Sequence, residues 1–250
     1  MTPIQRPRVV GITQARMSST RLPGKVLREV QGKPLLLHHA ERARRVRTLD
    51  AFMVATTVNP ADDRVAATAA AAGFPVFRGS EDDVLSRFIQ AAEHYRADIV
   101  VRLNADCPLI DPAVVDHMVQ AFLDRWPDID YASNRLVHTY PRGLDAEITT
   151  LAALREADAE AEIPEDREHV TYFIWHRPDR YRLLNVPSER DLKGHRWTVD
   201  TPEDFELVRR ILDDLYPRKP EFTLQDCLDV LAEHPDWPSI NAHVEQRLLP

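Results

Sequence analysis

Apolar runs and amphipathic stretches alternate along the first half of the chain. Short, mainly apolar runs are typical of buried strands, and longer stretches with apolar residues every three or four positions are typical of helices. Such alternation predicts an α/β fold, in which a mostly parallel sheet is flanked by helices and ligands bind at the carboxyl ends of the strands. The predicted strands are 8–13, 51–57, 75–77 and 97–103, and the predicted helices are 34–46, 61–72, 82–95 and 112–125.

The second half of the chain is less regular. Pro164 and Pro202 suit the first positions of helices, and two short helices are expected after Pro217 and Pro220. The pattern predicts strands at 129–133, 144–149 and 181–186, and helices at 150–161, 164–175 and 202–213.

Composition limits the class of protein. Of 250 residues, 44% are hydrophobic, which is enough for a substantial core. The longest apolar runs, such as 97–101, are too short to cross a membrane, and the N-terminus lacks a signal-peptide pattern, so we expect a cytoplasmic protein without a membrane partner. Cys107 and Cys227 are too few for a disulfide framework or a zinc site, and we expect buried thiols.

The charge of the chain favours a small ligand over nucleic acid. A formal net charge of -8 lacks the basic surface that a nucleic-acid partner requires. Positive charge is instead concentrated in the loop after the first predicted strand. An acidic protein with one basic loop suits a small anionic ligand and a divalent metal ion, although surface acidity can also serve solubility alone.

This loop carries Arg16, Arg21 and Lys25 and no acidic residue. Three neighbouring cations repel one another unless a multiply charged anion binds them, so the loop is a candidate triphosphate-binding loop. A Walker A motif is excluded, because Ser19 and Val26 stand where it needs Gly and Ser or Thr, and the Rossmann glycine fingerprint is also absent. The alternative interpretation is an exposed basic turn.

Two aspartates follow predicted strands and are candidate metal ligands. Asp106 comes after the strand 97–103, and Pro108 prevents a helix from starting at once. Asp200 lies between an apolar stretch and a predicted helix. Magnesium is often held by one or two carboxylates together with substrate phosphates, which predicts Mg²⁺ at this pair. Alternatively, Asp200 caps the helix, and Asn104 and Asp106 merely form a turn.

Five segments of the sequence match the motifs of a known family in order and spacing. They are QARMSSTRLPGKV at 14–26, RGSEDDVL at 78–85, RLNADCPLID at 102–111, REHVT at 167–171 and WTVDTPEDF at 197–205. Together they resemble the CTP-dependent cytidylyltransferases, which include CMP-Kdo synthetase and acylneuraminate cytidylyltransferase. The chain is similar in particular to the branch of spore coat polysaccharide biosynthesis cytidylyltransferases. A match of order and spacing over residues 8–213 is far more specific than any single short motif.

The resemblance implies a Rossmann-like fold of the nucleotide-diphosphosugar transferase type and a homodimer. It implies one cytidylyltransferase domain over 1–250, with an acceptor-binding and dimerisation lobe at 128–190 and a C-terminal helical extension at 216–250. The family pattern is not matched everywhere, because Gln14 stands where the Kdo enzymes tend to carry Pro and Cys107 replaces an acidic residue. The acid-sugar pocket of those relatives is not recognisable.

The resemblance also implies roles for individual residues. Mg²⁺ would be bound by Asp106 and Asp200, and Arg16, Arg21 and Lys25 would bind the triphosphate in catalysis. Acid–base chemistry, rather than the resemblance, makes His169 the available base if the acceptor is a sugar hydroxyl. The implied nucleotide-binding residues are Gln14, Ala15, Arg16, Arg21, Lys25, Arg78, Ser80, Asn104 and Asp106. Since the acid-sugar pocket is not recognisable, we expect segments 138–147 and 167–169 to face the acceptor instead, with Tyr140, Arg142, Glu147, Arg167 and His169 as the acceptor-binding residues. Alternatively, these segments form a dimer contact or a polar surface.

These observations predict an enzyme that transfers CMP from CTP to an anionic acceptor and releases pyrophosphate. Sugar acids, sugar phosphates, phosphorylated amino acids and phosphonates are all admissible acceptors. One alternative is a glycosyltransferase of related fold, but its Asp-x-Asp motif is reduced to Asp106 in the candidate loop, and Asp128 and Asp130 precede a predicted strand. The other alternative is a non-catalytic nucleotide-binding subunit.

Overall fold

A computed structural model of the protein describes residues 6–246. In chain order its strands are β1 (Val9–Gln14), β2 (Glu29–Val30), β3 (Lys33–Pro34), β4 (Ala51–Thr57), β5 (Val76–Gly79), β6 (Ile99–Asn104), β7 (Tyr131–Ser133), β8 (Glu147–Thr150) and β9 (Leu183–Asn185). Seven of them form one sheet in the order β5-β4-β1-β6-β8-β7-β9, while β2 and β3 pair as a separate antiparallel hairpin.

The half of the sheet from β5 to β6 is parallel. Strand β1 pairs in parallel with β4 and with β6, and β4 pairs in parallel with β5. The carboxyl ends of these strands therefore meet at one edge, where Gln14 at the end of β1 lies beside Asn104 at the end of β6. Strand β8 pairs antiparallel with β6 and with β7. The predicted α/β fold with a mostly parallel sheet is confirmed.

Helices cover both faces of the sheet. In chain order they are α1 (Leu35–Ala43), α2 (Asp63–Ala71), α3 (Val84–His94), α4 (Pro112–Leu123), α5 (Leu151–Glu160), α6 (Pro164–Glu168), α7 (Tyr172–Trp175), α8 (Pro202–Arg218) and α9 (Leu224–Glu233). Val9 and Val101 belong to the core on one face, and Val10 and Val100 pack with Phe88 of α3 in the core on the other. Strands buried on both faces produce the continuous apolar runs of the sequence, since successive side chains point to opposite faces.

The predicted continuous helix at 164–175 is wrong. The structure breaks it into α6 and α7, and the buried Val170 between them has a left-handed backbone with φ 53°. A β-branched residue in that conformation cannot continue a helix. The break places His169 in the connection between the two helices.

Two further elements differ from the prediction. The hairpin of β2 and β3 was not predicted; it turns through Gln31 and Gly32, whose φ values of 52° and 69° are those that a two-residue hairpin turn favours. Helix α8 runs to Arg218 instead of ending at 213, with Pro217 in its last turn. Helix α9 and a short 3₁₀ turn at Trp237–Ile240 then follow, as expected.

None of the helices within residues 6–246 combines the length and the apolar character that a membrane span requires. Of the predicted C-terminal extension at 216–250, residues 247–250 lie outside the described part of the chain.

Candidate active site

A pocket of about 710 Å³ opens at the carboxyl ends of β1 and β6. Its wall is formed by the basic loop after β1, the segment between β5 and α3, the end of β6, and the connection between α6 and α7. The residues from the predicted site that line it are Gln14, Ala15, Arg16, Arg21, Lys25, Asn104, Asp106, His169 and Asp200. Residues far apart in sequence thus converge on one pocket.

Lys25 connects the two candidate metal ligands. Its Nζ donates to Oδ2 of Asp106 and to Oδ1 of Asp200, each at 2.7 Å. Gly24, with a left-handed φ of 67°, precedes the short 3₁₀ turn that starts at Lys25, so the loop turns sharply there. Burial alone would lower the pKa of the ammonium, but the carboxylates outweigh it and raise the Lys25 pKa above its ordinary value. Lys25 is therefore a permanent cation at neutral pH.

Asp200 is paired with three cations. Besides Lys25, Arg21 lies 3.1 Å and Arg196 2.9 Å from its Oδ2. Burial would raise the pKa of Asp200, but Lys25 and the two arginines lower it below its ordinary value. The helix-capping alternative for Asp200 is wrong, because Thr201 is the N-cap residue of α8. The Asp200 carboxylate is left to face the pocket.

A buried histidine holds the loop that carries Asp106. His39 of α1 hydrogen-bonds through Nδ1 to the carbonyl of Cys107 and through Nε2 to the hydroxyl of Thr13, each at 2.8 Å. Burial lowers the His39 pKa to about 4, so the ring is neutral at pH 7. A carbonyl only accepts, so Nδ1 carries the proton and Thr13 donates to Nε2. The backbone of Val199 donates to the carbonyl of Asp106 at 2.8 Å and ties the two acidic segments together.

Replacing His39 with leucine is expected to destabilise the protein by about 2 kcal/mol or more, because the Cys107 carbonyl and the Thr13 hydroxyl lose their buried partner. Urea unfolding measures this change in the free energy of unfolding. His117→Leu, at an exposed position of α4, is the matched control and should change stability little. Equal effects of the two substitutions would contradict the positioning role of His39.

Two arginines in the pocket wall were missed by the sequence analysis. Arg87 of α3 is 2% exposed, and Arg102 of β6 is 7% exposed and pairs with the buried Glu147 of β8. A charged residue inside the apolar strand Ile99–Asn104 was the available signal for Arg102. The other pocket residues that were missed are Ser18, Ser19, Thr20, Val26, Glu81, Asp82, Val84 and Glu168.

The predicted nucleotide contacts Arg78 and Ser80 are not among the residues that line the pocket. Arg78 donates through Nε to the carbonyl of Thr57 at 2.8 Å and pairs with Asp63 at 2.7 Å. The Ser80 hydroxyl accepts from the backbone of Asp83 at 3.1 Å. Both side chains therefore stabilise the protein around the end of β5.

The predicted acceptor residues do not converge either. His169 alone among the five lines the pocket. Glu147 is buried beneath it, and Tyr140 is buried in a core. Arg142 lines a separate cavity, and Arg167 is paired with acidic side chains. Segment 138–147 forms part of the interior and of a second cavity, and its role in binding the acceptor stays a prediction.

The donor set suits magnesium with a nucleotide. Within residues 6–246, no group of three or more His, Cys, Asp or Glu side chains converges as a complete metal site. Asp106 and Asp200 do converge, because both contact the single Nζ of Lys25. Two carboxylates completed by phosphate oxygens and water are a usual set of ligands for Mg²⁺. The residues present therefore fit this ion.

Comparison with known proteins identifies the family. The family model described as cytidylyltransferase matches residues 10–225. The spore coat polysaccharide biosynthesis protein SpsF of Bacillus subtilis is 33% identical over 235 residues, which cover 91% of this chain and 95% of that protein. The resemblance inferred from the five sequence segments is thus confirmed.

Solved structures similar to this chain support the same family. A cytidylyltransferase from Leptospira borgpetersenii serovar Hardjo-bovis has a TM-score of 0.89 at 34% identity and covers 98% of this chain and 100% of its own. A CMP:2-keto-3-deoxy-manno-octonic acid synthetase complexed with CTP has a TM-score of 0.64 at 23% identity over 82% of this chain and 98% of its own, which is a likeness of fold. With the family model spanning most of its length, the chain belongs to the cytidylyltransferase family.

Proposed function

We propose that the protein transfers CMP from CTP to a small anionic acceptor. An acceptor oxygen forms a bond to the α-phosphorus, and the bond from that phosphorus to the bridging oxygen breaks, which releases pyrophosphate. The observation that carries the proposal is the contact of Lys25 with both Asp106 and Asp200, in a pocket that Arg16 and Arg21 also line. Cations that can bind phosphates and carboxylates that can bind a metal ion thus line the same pocket.

The cations of the basic loop bind the triphosphate and stabilise the departing pyrophosphate. Phosphoryl transfer needs little covalent participation by the protein, so positioning and charge stabilisation provide most of the catalysis. Arg16 and Arg21 are each about 40% exposed at the side chain, within reach of a ligand in the pocket. A volume of about 710 Å³ lies in the usual range of small-molecule sites.

Asp106 and Asp200 would hold Mg²⁺. When bound, this ion neutralises charge on phosphoryl oxygens. Lys25 contacts one oxygen of each carboxylate and supplies positive charge beside the position that the ion would take. The requirement for magnesium is part of the proposal.

The acceptor determines whether a base is needed. A phosphate or carboxylate acceptor is already ionised and attacks without one, whereas a sugar hydroxyl must lose a proton. His169 lines the pocket, and burial lowers the pKa of its imidazole, so the ring is neutral at pH 7 and able to accept that proton. His169 is the proposed base in the second case.

Two hydrogen-bond acceptor atoms without a partner, on residues that line the pocket, support a nucleotide as the ligand. Oε1 of Gln14 and Oδ1 of Asn104 are buried and have no hydrogen-bond partner among residues 6–246. A ligand with amino or hydroxyl donors would satisfy them. The relative solved with CTP favours CTP, and the SpsF relative favours an acceptor used in polysaccharide biosynthesis. A cytoplasmic homodimer joined through 128–190 stays a prediction.

A matrix of the four nucleoside triphosphates against candidate acceptors, with and without Mg²⁺, tests the proposal. We expect pyrophosphate release only with CTP, an anionic acceptor and Mg²⁺. Sugar transfer from a nucleotide sugar without pyrophosphate would instead identify a glycosyltransferase. Thermal stabilisation by CTP without turnover across sugar acids, sugar phosphates, phosphorylated amino acids and phosphonates would identify a binding subunit.

A further inference from the structure

Arg87 and Arg102 both line the pocket, and the guanidinium group of each has a donor without a partner among residues 6–246. Each hydrogen-bonds through one terminal nitrogen, Arg87 to the carbonyl of Ser80 and Arg102 to the carboxylate of Glu147. The Nε atoms of both are buried and have no hydrogen-bond partner within the described chain, residues 6–246. Buried donors are rarely left without a partner in a native protein, so a missing ligand is a natural explanation.

The two side chains are held in place by the fold. Arg102 lies opposite Glu147 in the register of β6 and β8, and Glu147 also accepts from the hydroxyls of Tyr131 at 2.8 Å and Thr171 at 2.6 Å. Burial would raise the pKa of Glu147, but Arg102 and its other partners lower it to about 2, so it remains an anion. Arg102 is thus fixed before any ligand arrives.

The side chain of Arg87 packs against Gly79 at the end of β5. A Cβ at Gly79 would lie 2.9 Å from Cγ of Arg87, closer than real side chains approach. Only glycine at this position leaves room for the arginine stem beside the end of β5. The backbone of β5 and the rotamer of Arg87 are therefore matched to each other.

Positive charge accumulates in this part of the pocket. Burial, together with the nearby Arg16 and Arg102, lowers the pKa of Arg87 to about 10, and Asp62 and Glu81 offset this only in part. Buried like charges that are not fully paired are costly, and an oxyanion would relieve the cost. Among residues 6–246, Arg87 has no carboxylate partner, whereas Arg102 is paired with Glu147 and Lys25 with two carboxylates.

We propose that Arg87 and Arg102 form a second anion subsite, which binds a carboxylate or phosphate group of the acceptor while the basic loop binds the triphosphate. The inference rests on the proposed function and assigns the residues that bind the anionic group of its acceptor. The planar guanidinium fork matches both oxyanions through paired hydrogen bonds. His169, whose surroundings include Arg102, would lie beside the bound group.

The test uses the full chain loaded with Mg²⁺ and a non-hydrolysable CTP analogue, so that the basic loop is already occupied. Inorganic phosphate and acetate are then titrated by calorimetry, and the stronger of the two identifies the class of oxyanion. In Arg87→Gln and Arg102→Gln we expect the anion to bind about 10-fold or more weakly, because a charge-assisted contact is lost, while the affinity for the analogue changes little. Arg155 of α5 pairs with Glu93 of α3 on the surface, so Arg155→Gln is the matched control and should bind both ligands normally.

Gly79→Ala is a second variant that keeps every charge. It should displace Arg87 and weaken anion binding without weakening the binding of the analogue. Arg87→Lys keeps a cation at this position, so it should bind the anion more tightly than Arg87→Gln does. Failure of phosphate and acetate to bind the loaded wild type, or normal anion binding in both glutamine variants, would overturn the subsite. A parallel loss of analogue affinity would assign the arginines to the nucleotide instead. If the analogue does not bind the wild type at all, the proposed function fails. Anion binding that is lost in Arg87→Gln and Arg102→Gln would still support the subsite in that case.

Discussion

Replacing Lys25 with methionine is expected to slow pyrophosphate release on the order of 100-fold or more, because a pre-positioned charge in a partly dry site is lost. The side chain is only 12% exposed, and methionine fills a similar volume without the ammonium. The substitution also leaves Asp106 and Asp200 facing one another without the cation that both contact. Steady-state pyrophosphate release with CTP, Mg²⁺ and a productive acceptor measures the effect.

Lys33→Met is the matched control. Lys33 is also partly buried and paired, with Glu41 at 2.5 Å, but it lies outside the residues that line the pocket. It should keep nearly full activity. A Lys25→Met protein that is folded and turns over at the rate of Lys33→Met would contradict the role of Lys25 in binding the triphosphate.

The convergence of Lys25 with Asp106 could be predicted from the sequence because it follows from parallel strand pairing. Apolar runs buried on both faces identify β1 and β6, and the carboxyl ends of neighbouring parallel strands must meet at one edge. The segments that follow β1 and β6 are therefore brought together. These segments are the basic loop after β1 and the loop with Asp106 after β6.

Arg102 could not be predicted in the same way, because its role depends on strand register. Its partner Glu147 lies across an antiparallel pair, and the irregular connection before β8 hides that pairing from the sequence. The same irregularity made Tyr140 and Arg142 look like pocket residues, when the first is buried and the second lines another cavity. Periodicity identifies elements, but it does not fix how distant segments pack.

The break of the predicted helix at 164–175 has a similar cause. Val170 is completely buried, so tertiary packing holds it at a φ of 53° that local propensity disfavours. That packing places His169 at the pocket. A residue of the candidate site thus lies next to a local conflict between propensity and packing, which is where predictions from sequence are expected to fail.

Asp106→Asn is expected to lower the rate of pyrophosphate release on the order of 100-fold and to raise the Mg²⁺ concentration needed for half-maximal activity. Asparagine keeps the shape of the side chain and an oxygen that Lys25 can contact, but it removes the charge that would bind the metal ion. Measuring the rate over a range of Mg²⁺ concentrations separates loss of a metal ligand from loss of packing. A packing defect would lower the rate equally at every Mg²⁺ concentration.

Asp116→Asn provides the comparison. Its carboxylate, like that of Asp106, is partly buried, and it accepts from the backbone of Thr48 at 2.8 Å away from the candidate active site. It should leave both the rate and the Mg²⁺ dependence near those of the wild type. Near-normal turnover with an unchanged Mg²⁺ requirement in a folded Asp106→Asn protein would exclude Asp106 as a metal ligand. The contact between Lys25 and the two carboxylates would then have to be explained as structural.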